Sequence, residues 1–180
     1  LEQLDVIGAV LADGPLVYPT PRQCRLTGGS LDRHRVSLIV RGDSEPDTAF
    51  AANHLQQRMT EVFGQALPVV TAGQLPVDQA AIILRLDPAG EPESYAIEVS
   101  EQSVQLMGSC RIALLYACDT LVQLAGTGAI PLGQVRDWAY KRMRGCNFGL
   151  PPRESFDFYR RLLRYVLLPL RYNTLFIEFA

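Results

Sequence analysis

The chain has 180 residues, of which 48% are hydrophobic and 20% are charged, and its formal net charge is −2. This apolar content suffices for a hydrophobic core and excludes wholesale disorder, while the slight negative charge argues against nucleic acid as a partner. No run of about 18 uncharged apolar residues occurs, so we expect no membrane-spanning helix and no membrane partner.

The first part of the chain predicts a lead-in and one buried strand. Residues 1–15 form a mildly apolar lead-in, and the prolines of Val17–Pro21 favour an extended backbone after it. Gly28-Gly29 is expected to break the chain, and Arg33-His34-Arg35 to form a solvated turn. The short, β-branched segment Val36–Val40 then predicts a buried strand.

A helix is predicted after that strand, running to about Phe63. Asp47 or Thr48 is expected to cap its first turn, and Gly64 stands where a helix commonly ends. Its apolar face is predicted from the helical spacing of Ala52, Leu55, Met59, Val62 and Phe63.

The middle of the chain predicts strands followed by a second helix. Leu67–Thr71 is a short strand candidate, and Ala80–Leu86 is typical of a central strand. Apolar and polar residues alternate over 95–99 and again over 104–106, which predicts a hairpin. The second helix, over 111–124, is predicted to bury one stripe, formed by Ile112, Leu115, Cys118, Val122 and Ala125.

An extended segment from Ile130 to Trp138 completes the pattern of this region. Strand, helix, several strands and helix in this order predict an α+β fold over residues 16–138, a small sheet with two helices on one face.

Residues 139–180 show a different pattern. Met143–Phe148 predicts a strand, Ser155 opens a helix, and Asn173–Phe179 predicts a strongly apolar second strand. The helix has an apolar face of Phe156, Tyr159, Leu162, Leu163, Val166 and Leu167. Strand–helix–strand with this spacing is a βαβ unit with parallel pairing, which needs further strands beside it. We therefore expect the chain to end inside a larger α/β domain.

Metal or histidine chemistry is not indicated. The four cysteines form no C-x-x-C pair and only two histidines are present, which argues against a zinc site and predicts four reduced, mostly buried thiols. His34 and His54 have no partner at a useful spacing, and His54 is expected near the solvent side of its helix.

Six segments occur in an order that matches a known family: Tyr18–Arg22, Ala49–Leu67, Glu93–Ser100, Leu114–Leu124, Ile130–Trp138 and Arg144-Gly145. Together they resemble the N-terminal part of family 20 glycoside hydrolases, the β-N-acetylhexosaminidases. The third segment is similar to the family's E-x-Y-x-L-x-V strand, and the last to the R-G that opens its first barrel strand. Ala139 stands where the family usually has proline, and Phe176–Phe179 where it usually has histidines.

The resemblance implies an α+β accessory domain over 16–138 and the start of a (β/α)₈ catalytic barrel over 139–180. It implies an enzyme that removes terminal N-acetylhexosamine from glycans and needs no cofactor. The family's catalytic pair is an adjacent Asp-Glu on the fourth barrel strand, in which Glu protonates the leaving oxygen and Asp orients the acetamido group. No Asp-Glu pair occurs in this chain, so we assign no catalytic residue and expect the chain by itself to be inactive.

The partner implied for the whole enzyme is a glycan or amino-sugar substrate, and an incomplete barrel is expected to expose apolar surface and self-associate. Two alternatives stay open. One is an α-glucuronidase-type or other glycosidase with the same accessory domain. The other is a non-catalytic carbohydrate-binding or packing module, against which the lack of an evident aromatic platform counts.

Three residues are candidates for substrate binding. Arg144 is predicted at the end of a strand, where barrel enzymes build their sites, and in the resembling family this arginine holds sugar hydroxyls. One planar guanidinium reaches two oxygens, although a structural ion pair would also explain the residue. Glu178 is polar on an apolar strand and is expected to line the sugar site, unless the strand end simply exposes it; Asn147 is expected to face the barrel mouth.

Asp137 and Trp138 mark the boundary between the two parts of the chain. An aromatic ring often stacks on sugars, but Trp138 is expected to pack between domains. Tyr95 and Tyr116 are expected in the core.

Overall fold

The structure, a computed structural model, describes residues 17–71 and 80–178. The chain divides into two compact units between Trp138 and Ala139. The predicted lead-in, residues 1–15, lies outside the described residues.

The first unit is built on a seven-stranded mixed sheet in the order β1-β7-β5-β6-β4-β2-β3. Its strands are β1 (Gln23–Asp32), β2 (Val36–Arg41), β3 (Val69–Thr71), β4 (Ala80–Leu86), β5 (Tyr95–Val99), β6 (Ser103–Gly108) and β7 (Ala129–Asp137). β2 pairs in parallel with β3 and β4, and β4 with β6, whereas β5 is antiparallel to β6 and β7. The predicted hairpin and central strand are confirmed.

Two helices, α1 (Pro46–Phe63) and α2 (Arg111–Leu124), pack against each other and against the sheet. The strands present a buried row of direct cross-strand partners to these helices: Val135, Ile97, Leu106 and Leu84. Apolar side chains that leave water together are the main stabilising contribution of such a layer. The predicted α+β fold with two helices on one face is confirmed.

The start of α1 differs from its prediction. Glu45 is the N-cap and makes no side-chain capping bond, while Pro46 occupies the first turn, where its fixed φ suits the helix and its missing N–H costs nothing. Asp43 organises the turn before the helix, because its carboxylate accepts the backbone N–H groups of Glu45 at 3.0 Å and Leu86 at 3.3 Å. The predicted caps, Asp47 and Thr48, were therefore wrong.

The apolar face of α1 also needs one correction. Leu55 and Met59 are fully buried as predicted, but Val62 is 48% exposed. Leu55, Met59 and Phe63 follow one another at a spacing of four residues and form one stripe along the helix. Val62 lies to the side of this stripe. Gly64 ends the helix in the left-handed conformation, as predicted, with φ 67°.

The second helix is buried on more than one stripe. Every residue of α2 from Ala113 to Val122 is buried, because the helix contacts both the sheet and α1. Its predicted bounds are confirmed, whereas the prediction of a single buried stripe was too narrow.

Strand β1 was not predicted. Gly28 and Gly29 were expected to break the chain, but they lie inside β1 with φ of 79° and 78°, where the register to β7 shifts between Leu26 and Ser30. A bulge of this kind absorbs the left-handed residues without ending the strand. The turn after β1 is not fully solvated either, since the Arg33 guanidinium donates to the carbonyl of Ala125 at 2.9 Å.

The second unit is a strand–helix–strand arrangement. Its elements are β8 (Gly145–Gly149), α3 (Phe156–Leu162) and β9 (Thr174–Glu178), with a π-helical turn over 163–167. β8 and β9 pair in parallel from Gly145 opposite Thr174 to Gly149 opposite Glu178, so the predicted parallel pairing is observed.

This unit leaves much apolar surface exposed, as predicted. Of the predicted helix face, Phe156, Leu163 and Val166 are exposed and Leu167 is buried. The other exposed large apolar side chains of the unit are Tyr140, Met143, Leu150, Phe158, Tyr165, Leu175, Phe176 and Ile177. Self-association of this surface stays a prediction.

The pairing of β1 with β7 predicts a strong effect of one methyl group. Gly133 has φ 138°, and a Cβ at this position would collide with the backbone oxygen of Arg25. We expect Gly133→Ala to lower the free energy of unfolding by at least about 2 kcal/mol, measured by urea denaturation. Gly126→Ala is the control, because nothing lies within 4 Å of its Cβ and its φ is not positive; equal stability losses in both variants would contradict this account.

Candidate functional site

The two faces of the β8–β9 sheet differ in what covers them. Phe148 meets Tyr159 of α3 edge to face, with ring centroids 5.7 Å apart, so its side of the sheet faces the helix. Side chains alternate along a strand, which puts Asn147 on the opposite, helix-free face. Phe176 is the direct partner of Asn147, and its ring would lie 2.9 Å from a Cβ on Gly145, so it shares that face.

Two predicted site residues meet on the helix-free face. The Asn147 side-chain amide donates to Glu178 Oε1 at 2.6 Å. Both side chains are exposed, and Glu178 is the last residue of β9, at the carboxyl end of the parallel pair. Carboxylate and amide together offer acceptors and donors to a hydroxyl-rich ligand. The structure therefore brings Asn147 and Glu178 together, with the half-exposed ring of Phe176 beside them.

Arg144 does not lie where it was predicted. It precedes Gly145, the first residue of β8, and therefore stands at the amino end of the strand instead of its carboxyl end. The strand begins here because the Arg144 carbonyl accepts the backbone N–H groups of Asn173 at 2.9 Å and Thr174 at 3.3 Å. The structure thus separates Arg144 along the strand from Asn147 and Glu178.

The guanidinium of Arg144 makes short contacts to main-chain oxygens. Its Nε donates to the carbonyl of Arg171 at 2.6 Å, and one terminal nitrogen donates to the carbonyl of Lys141 at 2.6 Å. These two contacts hold the guanidinium in one orientation. In addition, the backbone N–H of Arg144 donates to Asn173 Oδ1 at 3.0 Å, which joins the segments before β8 and β9.

Asp137 and Trp138, at the end of the first unit, form a local junction with Arg22. The Asp137 carboxylate accepts the Arg22 N–H at 3.2 Å, and Arg22 Nε donates to the Trp138 carbonyl at 3.1 Å. The guanidinium carbon lies 4.9 Å from the centroid of the Trp138 ring. A cation over the ring is a favourable contact in itself.

A buried charged cluster joins α1 to α2, and the sequence analysis missed it. His54 Nε2 lies 3.1 Å from Asp119 Oδ1, and Arg58 Nε lies 3.5 Å from the same oxygen. The side chains of His54 and Asp119 are 10% and 5% exposed, so the placement of His54 near solvent was wrong. The partners are 65 positions apart in the chain, and only the packing of the two helices brings them together.

The cysteines show no chemistry of their own. Cys118 is buried and donates to the carbonyl of Ala51 at 3.7 Å, and burial, with a smaller effect of the Asp119 carboxylate, raises the pKa of its thiol. A protonated buried thiol is a poor nucleophile. Cys24, Cys110 and Cys146 are partly exposed, so the prediction of mostly buried thiols was wrong for three of four.

Within 17–71 and 80–178, no three side chains of His, Cys, Asp or Glu are placed to hold a metal ion. In that part of the chain, no helix has the length and apolar character needed to cross a membrane.

Comparison with known families gives one match. The family model described as glycosyl hydrolase family 20, domain 2, matches residues 14–138, which is 125 of the 180 residues. No protein in the curated set matches this chain.

Solved structures with a similar fold include enzymes of family 20. The family 20 β-N-acetylhexosaminidase from Streptomyces coelicolor A3(2) has a TM-score of 0.74 at 22% identity, over 89% of this chain and 34% of that chain. The exo-β-N-acetylglucosaminidase from Vibrio harveyi, solved with N-acetylglucosamine, has a TM-score of 0.72 at 20% identity, over 91% and 25%. A Streptomyces plicatus β-hexosaminidase variant bound to its product has a TM-score of 0.68 at 19% identity, over 90% of this chain and 34% of that chain. The chain thus matches a quarter to a third of the length of these proteins.

The charged cluster predicts which carboxylate stabilises the first unit. Asp119→Asn removes the charge that faces both His54 and Arg58, and we expect it to lower the free energy of unfolding by roughly 2 kcal/mol or more. Asp157→Asn on α3 is the matched control, because its pair with Arg160 spans 4.0 Å and is exposed, so the expected change is under about 0.5 kcal/mol. Chemical denaturation measures both; an unchanged Asp119→Asn variant would refute a stabilising role.

Proposed function

The chain belongs to glycosyl hydrolase family 20, and we propose that it forms part of a glycoside hydrolase that removes terminal N-acetylhexosamine from glycans. The structures with a similar fold carry this class of activity in their names, and two of them hold N-acetylglucosamine. In this proposal the substrate is a glycan with an amino sugar at its non-reducing end.

Each unit has a separate role in the proposal. Residues 16–138 act as the accessory domain, and residues 139–180 form the first βαβ of a (β/α)₈ barrel. Two observations support the second assignment. β8 and β9 are parallel and joined through α3, which is how consecutive barrel strands are connected. The structural matches cover 89% to 91% of the chain, more than residues 1–138 supply, so they extend into the second unit.

The observation that carries the substrate proposal is the bond between Asn147 and Glu178. In a barrel the helix-free face of the strands is the interior, and ligands bind at the carboxyl ends of the strands. Glu178 stands at that end, where its carboxylate accepts hydroxyl protons, and Asn147 holds it at 2.6 Å. The ring of Phe176 adds an apolar surface for the C–H face of a sugar.

Arg144 is part of the proposal as a third sugar contact. A guanidinium has five donors in a fixed fork, and the contacts to the carbonyls of Arg171 and Lys141 pre-orient it. Arg144 stands at the amino end of β8, and its spacing of three residues from Asn147 does not put it on the Asn147 face, so this contact is proposed separately from the Asn147–Glu178 pair.

The chain by itself is expected to be inactive in this proposal. Catalysis in the family uses an adjacent Asp-Glu pair, and the sequence holds none. We expect the 180-residue chain to release no nitrophenol from nitrophenyl N-acetyl-β-glucosaminide, whose hydrolysis is followed by absorbance. Turnover that co-purifies with the chain and is lost on Glu178→Gln would overturn this expectation and place the catalysis here.

The substrate contacts predict kinetic losses in the natural enzyme that contains this chain. Glu178→Gln and Asn147→Ala each remove a hydrogen-bonding group from the proposed sugar site. We expect kcat/KM on the same aryl substrate to fall roughly tenfold to a hundredfold, as loss of one hydrogen bond to a polar or charged group implies.

Glu154→Gln is the matched control for these variants. Glu154 is exposed in the turn before α3 and does not lie on either strand of the pair. We expect it to leave kcat/KM unchanged. If Glu178→Gln and Asn147→Ala also leave kcat/KM unchanged, neither side chain binds the substrate.

A further inference from the structure

The two glycines that bound β8 have different surroundings on the helix-free face. Gly145 and Gly149 lie two residues to either side of Asn147, so all three positions share this face. A Cβ on Gly145 would lie 2.9 Å from Cε2 and 3.4 Å from Cδ2 of the Phe176 ring. A Cβ on Gly149 would have nothing within 4 Å in the part of the chain that the structure describes. The face is therefore filled at the amino end of β8 and open at its carboxyl end.

The Phe176 ring reaches across to β8 on a diagonal. Phe176 is the direct partner of Asn147, but its ring lies beside Gly145, two positions toward the amino end of the strand. A side chain at position 145 would occupy the space of the ring, and only glycine has no Cβ. The bare backbone of Gly145 therefore lets the ring lie on β8. Phe176 is still 50% exposed, so the ring keeps surface for a further contact.

The hydrogen-bonding groups of the candidate site lie toward the other end of the face. Asn147 donates to Glu178 Oε1 at 2.6 Å, and Glu178 is the direct partner of Gly149. Apolar ring, amide, carboxylate and open space thus follow one another from the amino end to the carboxyl end. A sugar combines an apolar C–H face with a polar edge of hydroxyls, so it can contact the ring and the carboxylate together.

We propose that Gly145 is a positioning residue of the sugar site, because it seats the Phe176 ring at the amino end of the face and leaves the space beside Glu178 to the ligand. This inference rests on the proposed function, and Gly145 acts through Phe176 without touching the sugar. A methyl group at position 145 would displace the ring from β8 and change the surface that the sugar meets.

Such a displacement affects binding more than folding. The φ of Gly145 is not positive, so alanine fits the backbone of β8. The atoms that its Cβ would meet most closely belong to the far end of the Phe176 side chain, which can turn away about its rotatable bonds. Gly133 differs in both respects, since its φ is positive and the backbone oxygen of Arg25 stands in the way.

The test is a double-mutant cycle in the natural enzyme that contains this chain, with nitrophenyl N-acetyl-β-glucosaminide as substrate. We expect Gly145→Ala to raise KM roughly threefold to tenfold and to change kcat by less than about twofold, since a displaced ring weakens binding without touching the reacting atoms. Phe176→Val removes the ring and is expected to raise KM by a similar factor. In the Phe176→Val background, Gly145→Ala is expected to raise KM by less than about 1.5-fold, because no ring remains to be displaced.

Gly126→Ala is the matched control, because its φ is not positive and no atom of the described residues lies within 4 Å of its Cβ. We expect it to leave KM, kcat and the thermal unfolding temperature unchanged. Thermal unfolding of every variant separates weak binding from misfolding. If Gly145→Ala does not fold, Phe176→Val alone decides, and an unchanged KM in that variant would overturn the role of the ring.

The outcomes also separate this inference from the proposed function. A loss of kcat/KM in Glu178→Gln, together with an unchanged KM in Gly145→Ala, would overturn the inference alone. An equal rise of KM on Gly145→Ala in both backgrounds would do the same, because Gly145 would then act without Phe176. An unchanged kcat/KM in Glu178→Gln would contradict the proposed sugar site and this inference together.

Discussion

Parallel pairing between β8 and β9 sets Asn147 opposite Phe176 and Gly149 opposite Glu178, and the candidate site depends on this register. Parallel strands need a crossover, which passes through α3 on one side only. Alternation then directs Phe148 to the helix and leaves Asn147 and Glu178 on the other face. A shift of β9 by one residue would turn Glu178 toward the helix and break its bond to Asn147.

In the first unit, one face of the sheet is covered by helices and the other is exposed to solvent. Its helix face is closed by α1 and α2, and Asp119 pairs there with His54 and Arg58 across the two helices. The opposite face of β1 and β7 stays polar, with Arg25 and Arg136 directed to solvent. A buried charge needs partners, whereas water solvates an exposed one.

The sequence predicted most elements where local pattern and burial agree. Helix α2 has the predicted bounds because its apolar run and the glycines after it point to the same limits. Strand β1 was missed because Gly28-Gly29 reads as a break, and only pairing with β7 across the bulge keeps it extended. Contacts distant in sequence were also out of reach, because nothing near His54 indicates Asp119. In the candidate site, Asn147 and Glu178 could be predicted as polar residues on apolar strands, whereas the residue pattern put Arg144 at the end of a strand and only the resemblance to the family's R-G opening agrees with its place before β8.

The central claim is that the helix-free face of β8 and β9 contacts the sugar in a family 20 hydrolase. The most direct measurement is a crystal structure of the natural enzyme that contains this chain, with N-acetylglucosamine bound. This account predicts sugar oxygens within about 3.2 Å of the side chains of Asn147 or Glu178, on the side of the sheet opposite α3. A sugar bound with both side chains beyond hydrogen-bonding reach, or packed against the α3 side of the sheet, would contradict it.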